Sequence, residues 1–482
     1  MNTRNIRHPV PAPSFRTNPV RPKLAETPGT PPTTATLAAM WIVAIYLFSK
    51  MFYVGRSGTA QPADIMLCAL AFFIVPPREM LALLRNQIAL PVMVIWVAIV
   101  NLVWFMLTSE VSFLPPILYF VFNLLIVITF FGVRERDRAL FDKVICRAII
   151  VAVIVQTLFV LVERITHSGL LRNVGTFKNP NQLAYWGVLM LSLFLMLRRN
   201  QLGRGDILFM GAAIFCEFAS ASRAGLAALV ALLVMWLYCA LGDVRKRVFA
   251  CVAVTAVGIL LALTPAMDRV LVTGAEGSAV GSRLTEQNEI SQFDERQYNR
   301  IIEFYQYTLA GAGEGYLSRF VSENQFKLEI HSSFGTMLFS YGVPGLTLFV
   351  ALVAGIFRRL PTRLGIYLIP SLVYGITHQG LRFTLFWALI GVAASVSQDY
   401  RRAVAQPLAR LPRKRREARG PEALRHSAPP TGPNRFSRRY GQAPAPSLQA
   451  AQNRLGQAAR RAGSSMLQQQ RRSTDKRSLA HR

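Results

Sequence analysis

Residues 88–132 read IALPVMVIWVAIVNLVWFMLTSEVSFLPPILYFVFNLLIVITFFG, and Glu110 is the only charged side chain among them. Two runs of 21 residues, 88–108 and 112–132, flank that glutamate. About 20 apolar residues let an α-helix cross the hydrocarbon of a bilayer. A helix also satisfies its backbone hydrogen bonds within its own segment, as lipid demands. The stretch reads as two membrane-crossing helices joined by a tight turn.

Working outward, comparable runs fall near 36–54, 63–76, 144–163, 183–197, 206–221, 224–241, 248–265, 334–357, 364–379 and 383–398. The predicted fold is therefore an all-α polytopic membrane protein with about 12 transmembrane helices. Of the 482 residues 52% are hydrophobic and 16% charged, whereas soluble domains carry about 25% charged residues. The formal charge of +29 would point to nucleic acid on a soluble protein. Here residues 1–35 carry +4 and residues 401–482 carry +17, leaving +8 on the apolar stretch between. Both ends read as disordered basic cytoplasmic tails, too poor in large apolar residues to fold alone. The polybasic stretch 410–419 suits anionic lipid, and no nucleic-acid partner is expected. Five cysteines lie in or beside apolar runs with no CxxC, which argues against a disulfide framework or a zinc site. The first run is followed by no small-residue cleavage site and reads as a retained span.

Basic residues between spans set the orientation. With the first tail cytoplasmic, alternate loops hold Arg78/Arg85, Arg134/Arg136/Arg138, Arg198/Arg199/Arg204, Arg245/Lys246/Arg247 and Arg358/Arg359/Arg363. The second tail also falls inside. The predicted organisation is spans one to nine in 36–265, a large periplasmic loop subdomain in 266–332, and three further spans in 333–400.

Positive charge on the outer face then needs its own explanation. Arg172, Lys178 and Asn181 stand in RNVGTFKNPNQLAYW, where Asn181 reads as a helix cap. Arg223 stands in SASRAGLAAL at the outer border of two spans, where an arginine without an anion is costly. Arg300 opens RIIEFYQYTLAGAGEG, whose residues 298–309 read as a helix with Ile301, Phe304, Tyr305 and Leu309 at helical spacing. His331 begins HSSFGTMLFSYGVPGLTLF, and THQGLRFTLFW puts His378 and Arg382 in a short external turn. These segments converge on one face with several arginines, two histidines and no metal-ligand spacing. Guanidinium groups match phosphate geometry bidentately, which points to an anionic lipid head group, most simply a lipid pyrophosphate.

The motif order is GTF-NPN, then S-R-A-G, then a large external loop with R-x3-aromatic and G-x-G, then H-S-S with a following G-x-x-G before a span. Over roughly residues 165–350 it resembles the bacterial O-antigen ligase and polysaccharide polymerase superfamily. It departs from that pattern at Phe304, where tryptophan is usual, and in LAGAGEG, which lacks the usual proline. The resemblance implies a metal-independent membrane glycosyltransferase without a cofactor, in the bacterial inner membrane with its site facing the periplasm. Its substrate would be an undecaprenyl-pyrophosphate-linked oligosaccharide. Its partners would be membrane lipids and chain-length regulator or export proteins.

The expected activity is that of an exopolysaccharide or O-antigen polymerase. Arg223 and Arg300 would act at the phosphates with Arg172, and His331 as the base on the acceptor hydroxyl, since an imidazole ionises near 6.5. Lys178, Asn181, His378 and Arg382 would bind substrate. An O-antigen ligase acting on lipid A-core remains open, as do a transporter of lipid-linked sugars and a scaffold working through its basic tail. A transporter calls for charges along span centres and for internal repeats. The spans show no repeat, and Glu217 is the exception to their lack of charge.

Overall fold

Helix starts follow local chemistry. Proline occupies the first turn of α2 (Pro62–Ile74), α3 (Pro77–Asn86), α5 (Leu114–Arg136) and α7 (Pro180–Arg198), where its missing N–H costs nothing. Side chains of Asp137, Ser222 and Ser332 accept from the first turns of α6 (Arg138–Thr166), α9 (Arg223–Ala240) and the later helix Ser333–Arg359. The remaining helices before residue 264 are α1 (Thr34–Ser49), α4 (Ala89–Thr108), α8 (Arg204–Ser220) and α10 (Val244–Leu263). After it come α11 (Asn299–Glu303), α12 (Tyr307–Ala310), α13 (Ser333–Arg359), α14 (Thr362–Gly365), α15 (Ile369–Thr377) and α16 (Thr384–Arg410).

This computed structural model describes residues 32–54, 61–167, 172–199, 201–241, 244–263, 296–320 and 329–410, which contain no strand. Most of both tails, much of the loop after α10, and residues 321–328 lie outside the described residues. So does the whole of a second unit, Pro412–Arg482.

Among the described residues six helices are long and apolar enough to cross a membrane, and the protein is an all-helical, multi-pass membrane protein. A seventh crossing results if α2 and α3, bent by 106° at their junction, are one broken span. Two of the expected runs differ in form. The run at 63–76 is only the first arm of that bent pair, because Pro76 and Pro77 interrupt it. The run at 364–379 divides into α14, a 3-10 turn (Ile366–Leu368) and α15, the last opening at Pro370.

Burial sorts the helices. Every residue from Leu183 to Leu197 in α7 and from Thr384 to Asp399 in α16 is buried, as expected where apolar residues run round all sides of a helix; the polar residues at the two ends of the α16 stretch are buried with them. α16 packs on α5, α7 and α13, and α4 packs on α5 and α13. Outward-facing side chains are large and apolar, with Phe73 84%, Met106 80% and Ile165 79% exposed. Such a belt belongs against lipid rather than water.

The two ends of the bundle carry different polar networks. At one end Arg134, fully buried, donates to Asp142 at 2.8 and 3.1 Å, to Asp399 at 3.0 Å and to Ser395 at 2.9 Å. Arg199 reaches the same Asp399 at 3.0 Å. These contacts tie α5, α6, α7 and α16 together at their basic ends. The opposite end holds the first turns of α7, α9, α13 and α16 and the last turns of α6, α8 and α15, and the candidate residues lie there.

The segment after α12 is laid onto a kink in α13. Gly342 has φ 70 inside that helix, and a Cβ there would come within 2.5 Å of the Leu309 carbonyl. The helix carbonyls near the break are used instead by the loop. Ala312 N–H donates to Phe339 O at 2.9 Å and Gly313 N–H to Ser340 O at 2.8 Å. Trp104 Nε1 holds the Gly311 carbonyl at 2.9 Å, and Trp96 Nε1 holds that of Tyr341 at 2.7 Å. The expected single helix over 298–309 is broken at Phe304. Ile301 and Phe304 pack inward with Phe320, Ile330 and Phe339, while Tyr305 and Leu309 are exposed.

Candidate functional site

A cationic corner forms where α7, α8, α9 and α15 meet. The segment before α7 is clamped first: Glu163 accepts from the N–H groups of Val174 (3.0 Å) and Gly175 (2.7 Å), and Asn173 N–H donates to Ala219 O at 2.9 Å. Arg172 is thereby set across two helix ends. Its Nε donates to Ser220 O at 3.1 Å and its Nη2 to Asn181 Oδ1 at 2.9 Å. The cap of α7 is Asn179, whose side chain accepts from Asn181 N–H at 2.8 Å. The expected cap, Asn181, sits inside the first turn, so its side chain is free to receive Arg172. Lys178 turns elsewhere: it is exposed, with Nζ 3.3 Å from Val54 O in the segment after α1.

From the other side, Tyr374 on α15 donates its hydroxyl to Asn181 O at 2.7 Å and stacks on Tyr185 at 4.2 Å between ring centroids. The His378 ring lies 4.7 Å from that of Tyr374. Arg296 donates to the Thr377 carbonyl and comes within 3.5 Å of His378 Nδ1. His331 N–H donates to Arg296 O at 3.2 Å. Burial pushes the His378 pKa down from 6.5 to about 3, and Arg296, His331 and Arg172 push in the same direction. Arg296, His331 and Arg172 reach His378 from three separate segments of the chain. His378 is a neutral ring held inside a cationic field.

Arg223 opens α9, three residues after the carbonyl that holds Arg172. Its Nε and Nη2 are shielded from solvent and have no hydrogen-bond partner among the described residues. Buried polar groups are paired almost without exception, and a buried unpaired charge is costlier still. A guanidinium in this state is suited to an incoming anion.

A second cluster adjoins the first. Arg300 is buried, donates to Gln297 Oε1 at 2.7 Å, and lines a pocket of about 30 Å³ with Glu314, Glu329, Thr336, Gln379 and Arg382. That volume admits about one water molecule. Arg382 is already engaged: Nε donates to Glu314 at 2.9 Å, Nη2 to the same carboxylate, and Nη1 lies 2.7 Å from Glu329 Oε2. Burial alone would lower its pKa, but the two carboxylates outweigh it and hold the guanidinium more firmly charged. Glu314 is fixed in turn by the Tyr341 hydroxyl and by Asn101 Oδ1, which accepts from its N–H at 2.9 Å.

Of the eight residues singled out from the sequence, Arg172, Asn181, His331 and His378 share the first corner. Arg300 and Arg382 share the adjoining pocket, where Arg382 is paired with carboxylates rather than presented to an anion. Arg223 borders the first corner, and Lys178 belongs to neither cluster. Arg296 and Tyr374 were missed as members. Arg296 lies within the expected 266–332 loop, and no spacing in the sequence links it to His378. The buried pair Lys50–Asp64 was missed as well. Lys50 Nζ lies 2.5 Å from Asp64 Oδ2, and Tyr46 and Thr384 donate to Asp64 Oδ1. Lys50 stands near the end of one apolar run and Asp64 at the start of the next, and each alone reads as a border charge. Glu217 is fully buried with its oxygens against Gly187 and Gly225, where added Cβ atoms would approach within 2.5 and 2.8 Å.

No protein-family model matches the chain and no curated protein matches it, so the chemistry of this corner is read from its own residues.

Proposed function

We propose that the protein is a membrane glycosyltransferase of the polysaccharide-polymerase type, of the O-antigen ligase and polymerase superfamily. In this reading about twelve spans lie in a bacterial inner membrane and the cationic corner faces the periplasm. The donor is a glycan on a lipid pyrophosphate, and the acceptor is a hydroxyl of another lipid-linked repeat. The bond from the glycan's anomeric carbon to the pyrophosphate oxygen breaks, and a glycosidic bond to the acceptor oxygen forms. The acceptor proton passes to His331, and lipid pyrophosphate departs.

Pyrophosphate is a good leaving group, so the site needs charge stabilisation and a base rather than a covalent nucleophile. Arg223 and Arg172 meet the phosphate oxygens, with Arg296 adding to the field. Arg300 lines the pocket of the Glu314–Arg382 pair. His378, kept neutral by its burial and by the neighbouring arginines, fills the corner without adding charge.

The observation that carries this reading is the buried, unpartnered Nε and Nη2 of Arg223 at the border of a corner already crowded with cations. The test is transfer from purified lipid-linked repeat by the full chain in nanodiscs, together with the lipid profile of a deletion strain. Polymer formed in vitro and single lipid-linked repeats accumulating in the deletion strain are the expected results. Polymer made at wild-type rates by Arg223→Ala and His331→Ala would end the proposal.

A further inference from the structure

An open groove of about 480 Å³ runs from the mouth of the Arg300 pocket toward the turn between α4 and α5. The two share Gly315, Leu317, Glu329 and Arg382 as lining. Its chemistry is the reverse of the cationic corner. Glu110, Ser112, Tyr119, Tyr316 and Glu329 line it, with Arg382 at its inner end. Glu314 and Glu329 outweigh the charge of Arg382, and Glu110 adds to the negative excess among the described lining residues.

The two tyrosines are held in place. Arg382 lies over the Tyr119 ring, 5.7 Å from its centroid. Tyr316 has φ 41, a left-handed conformation that a bulky residue rarely adopts. Ser112 Oγ accepts its N–H at 3.0 Å, and Phe113 meets its ring edge-on at 6.4 Å. Backbone strain at a residue lining a groove is a pointer to function. Here the strained residue is 38% exposed.

We infer that this groove is a glycan subsite and that it takes an uncharged or amino-bearing sugar chain rather than an acidic one. The inference rests on the proposed function for the reaction it serves, and it adds which substrate part lies where. Aromatic rings offer flat apolar faces to the C–H side of a pyranose. Carboxylates accept hydrogen bonds from hydroxyl and ammonium groups and repel uronate or phosphate substituents. An open trough of this size accommodates a chain passing through, where an enclosed pocket would accept only a small molecule. The phosphates then lie on the arginine side and the sugar on the acidic, aromatic side, with Arg300 and the Arg382–Glu329 pair at the junction.

The experiment uses the full chain in nanodiscs and four probes: neutral glucan, chitosan and polygalacturonate tetrasaccharides, and farnesyl pyrophosphate. The neutral or the amino tetrasaccharide is expected to bind, and the uronate to bind at least tenfold more weakly. Tyr119→Ala and Tyr316→Ala should each weaken saccharide binding by about tenfold, while Tyr119→Phe preserves it. Farnesyl pyrophosphate affinity should be unchanged in all three variants, which also shows that they are folded. Glu110→Gln should narrow the discrimination against uronate. Uronate binding as tight as neutral glucan, saccharide binding indifferent to both alanine variants, or binding of no saccharide each overturns the inference. Saccharide binding without farnesyl pyrophosphate binding would count against the proposed function and leave the glycan subsite standing.

Discussion

Asn181 accepts a 2.9 Å hydrogen bond from Arg172 because Asn179, two residues earlier, takes the capping role in the same turn. The Asn-Pro-Asn motif therefore divides its labour. Asn179→Ala is expected to cost about 1 kcal/mol of stability, the usual value of a lost N-cap, with transfer largely retained. Asn181→Ala should leave stability nearly unchanged and slow transfer, since Arg172 loses the partner that aims it. Thermal unfolding and transfer rates of the two variants, measured together, test this; equal loss of activity in both would refute it.

Arg223 supplies the sharpest functional test. Arg223→Ala is expected to lower the transfer rate by roughly 10²-fold or more, the size of effect seen when a transition-state charge partner is removed. Arg223→Lys should be nearly as poor, because an ammonium lacks the planar fork that meets two phosphate oxygens. Both variants are to be compared at equal membrane abundance. A silent lysine variant would reduce Arg223 to a packing or border residue.

The Lys50–Asp64 pair makes a stability prediction independent of function. Both side chains are only 1% exposed, so removing one partner strands the other charge. Asp64→Asn or Lys50→Met is expected to cost ~3–5 kcal/mol. The double variant should cost less than the sum of the two, because no charge is then left unpaired. Unfolding of purified protein in detergent gives the comparison, and strict additivity would show that the two residues act separately.

His378 links stability to pH in a definite direction. Its folded pKa is held near 3, against an ordinary 6.5. Between those values the unfolded chain binds a proton that the folded chain does not. The contribution is fully present above pH 6.5 and is lost as pH falls toward 3. Wild-type protein should therefore be less thermostable at pH 5 than at pH 7.5, and His378→Asn should show a smaller difference. An identical pH slope in the two proteins would contradict the burial of a neutral ring.

Much of this architecture was legible in the chain. Lipid forces each span to satisfy its own backbone, so spans are local objects and apolar runs such as 88–108 and 112–132 reveal them without reference to the rest of the fold. The convergence of Arg172, His331 and His378 on one end was legible for the same reason, since each stands at the border of a run. The bend between α2 and α3 was less so, because a Pro-Pro step announces an interruption but not the direction taken afterward.

Partner choice was decided only by the tertiary structure. Arg382 reads in sequence as one more external cation, yet Glu314 and Glu329, more than 50 residues earlier, take up its hydrogen-bonding face. Arg296 reads as an ordinary loop residue, yet it lies against His378. A side chain's charge is a local property that composition and spacing display. Whether that charge is neutralised, solvated or left waiting depends on groups brought near by packing, and hydrogen bonds of about 3 Å carry no trace in sequence distance.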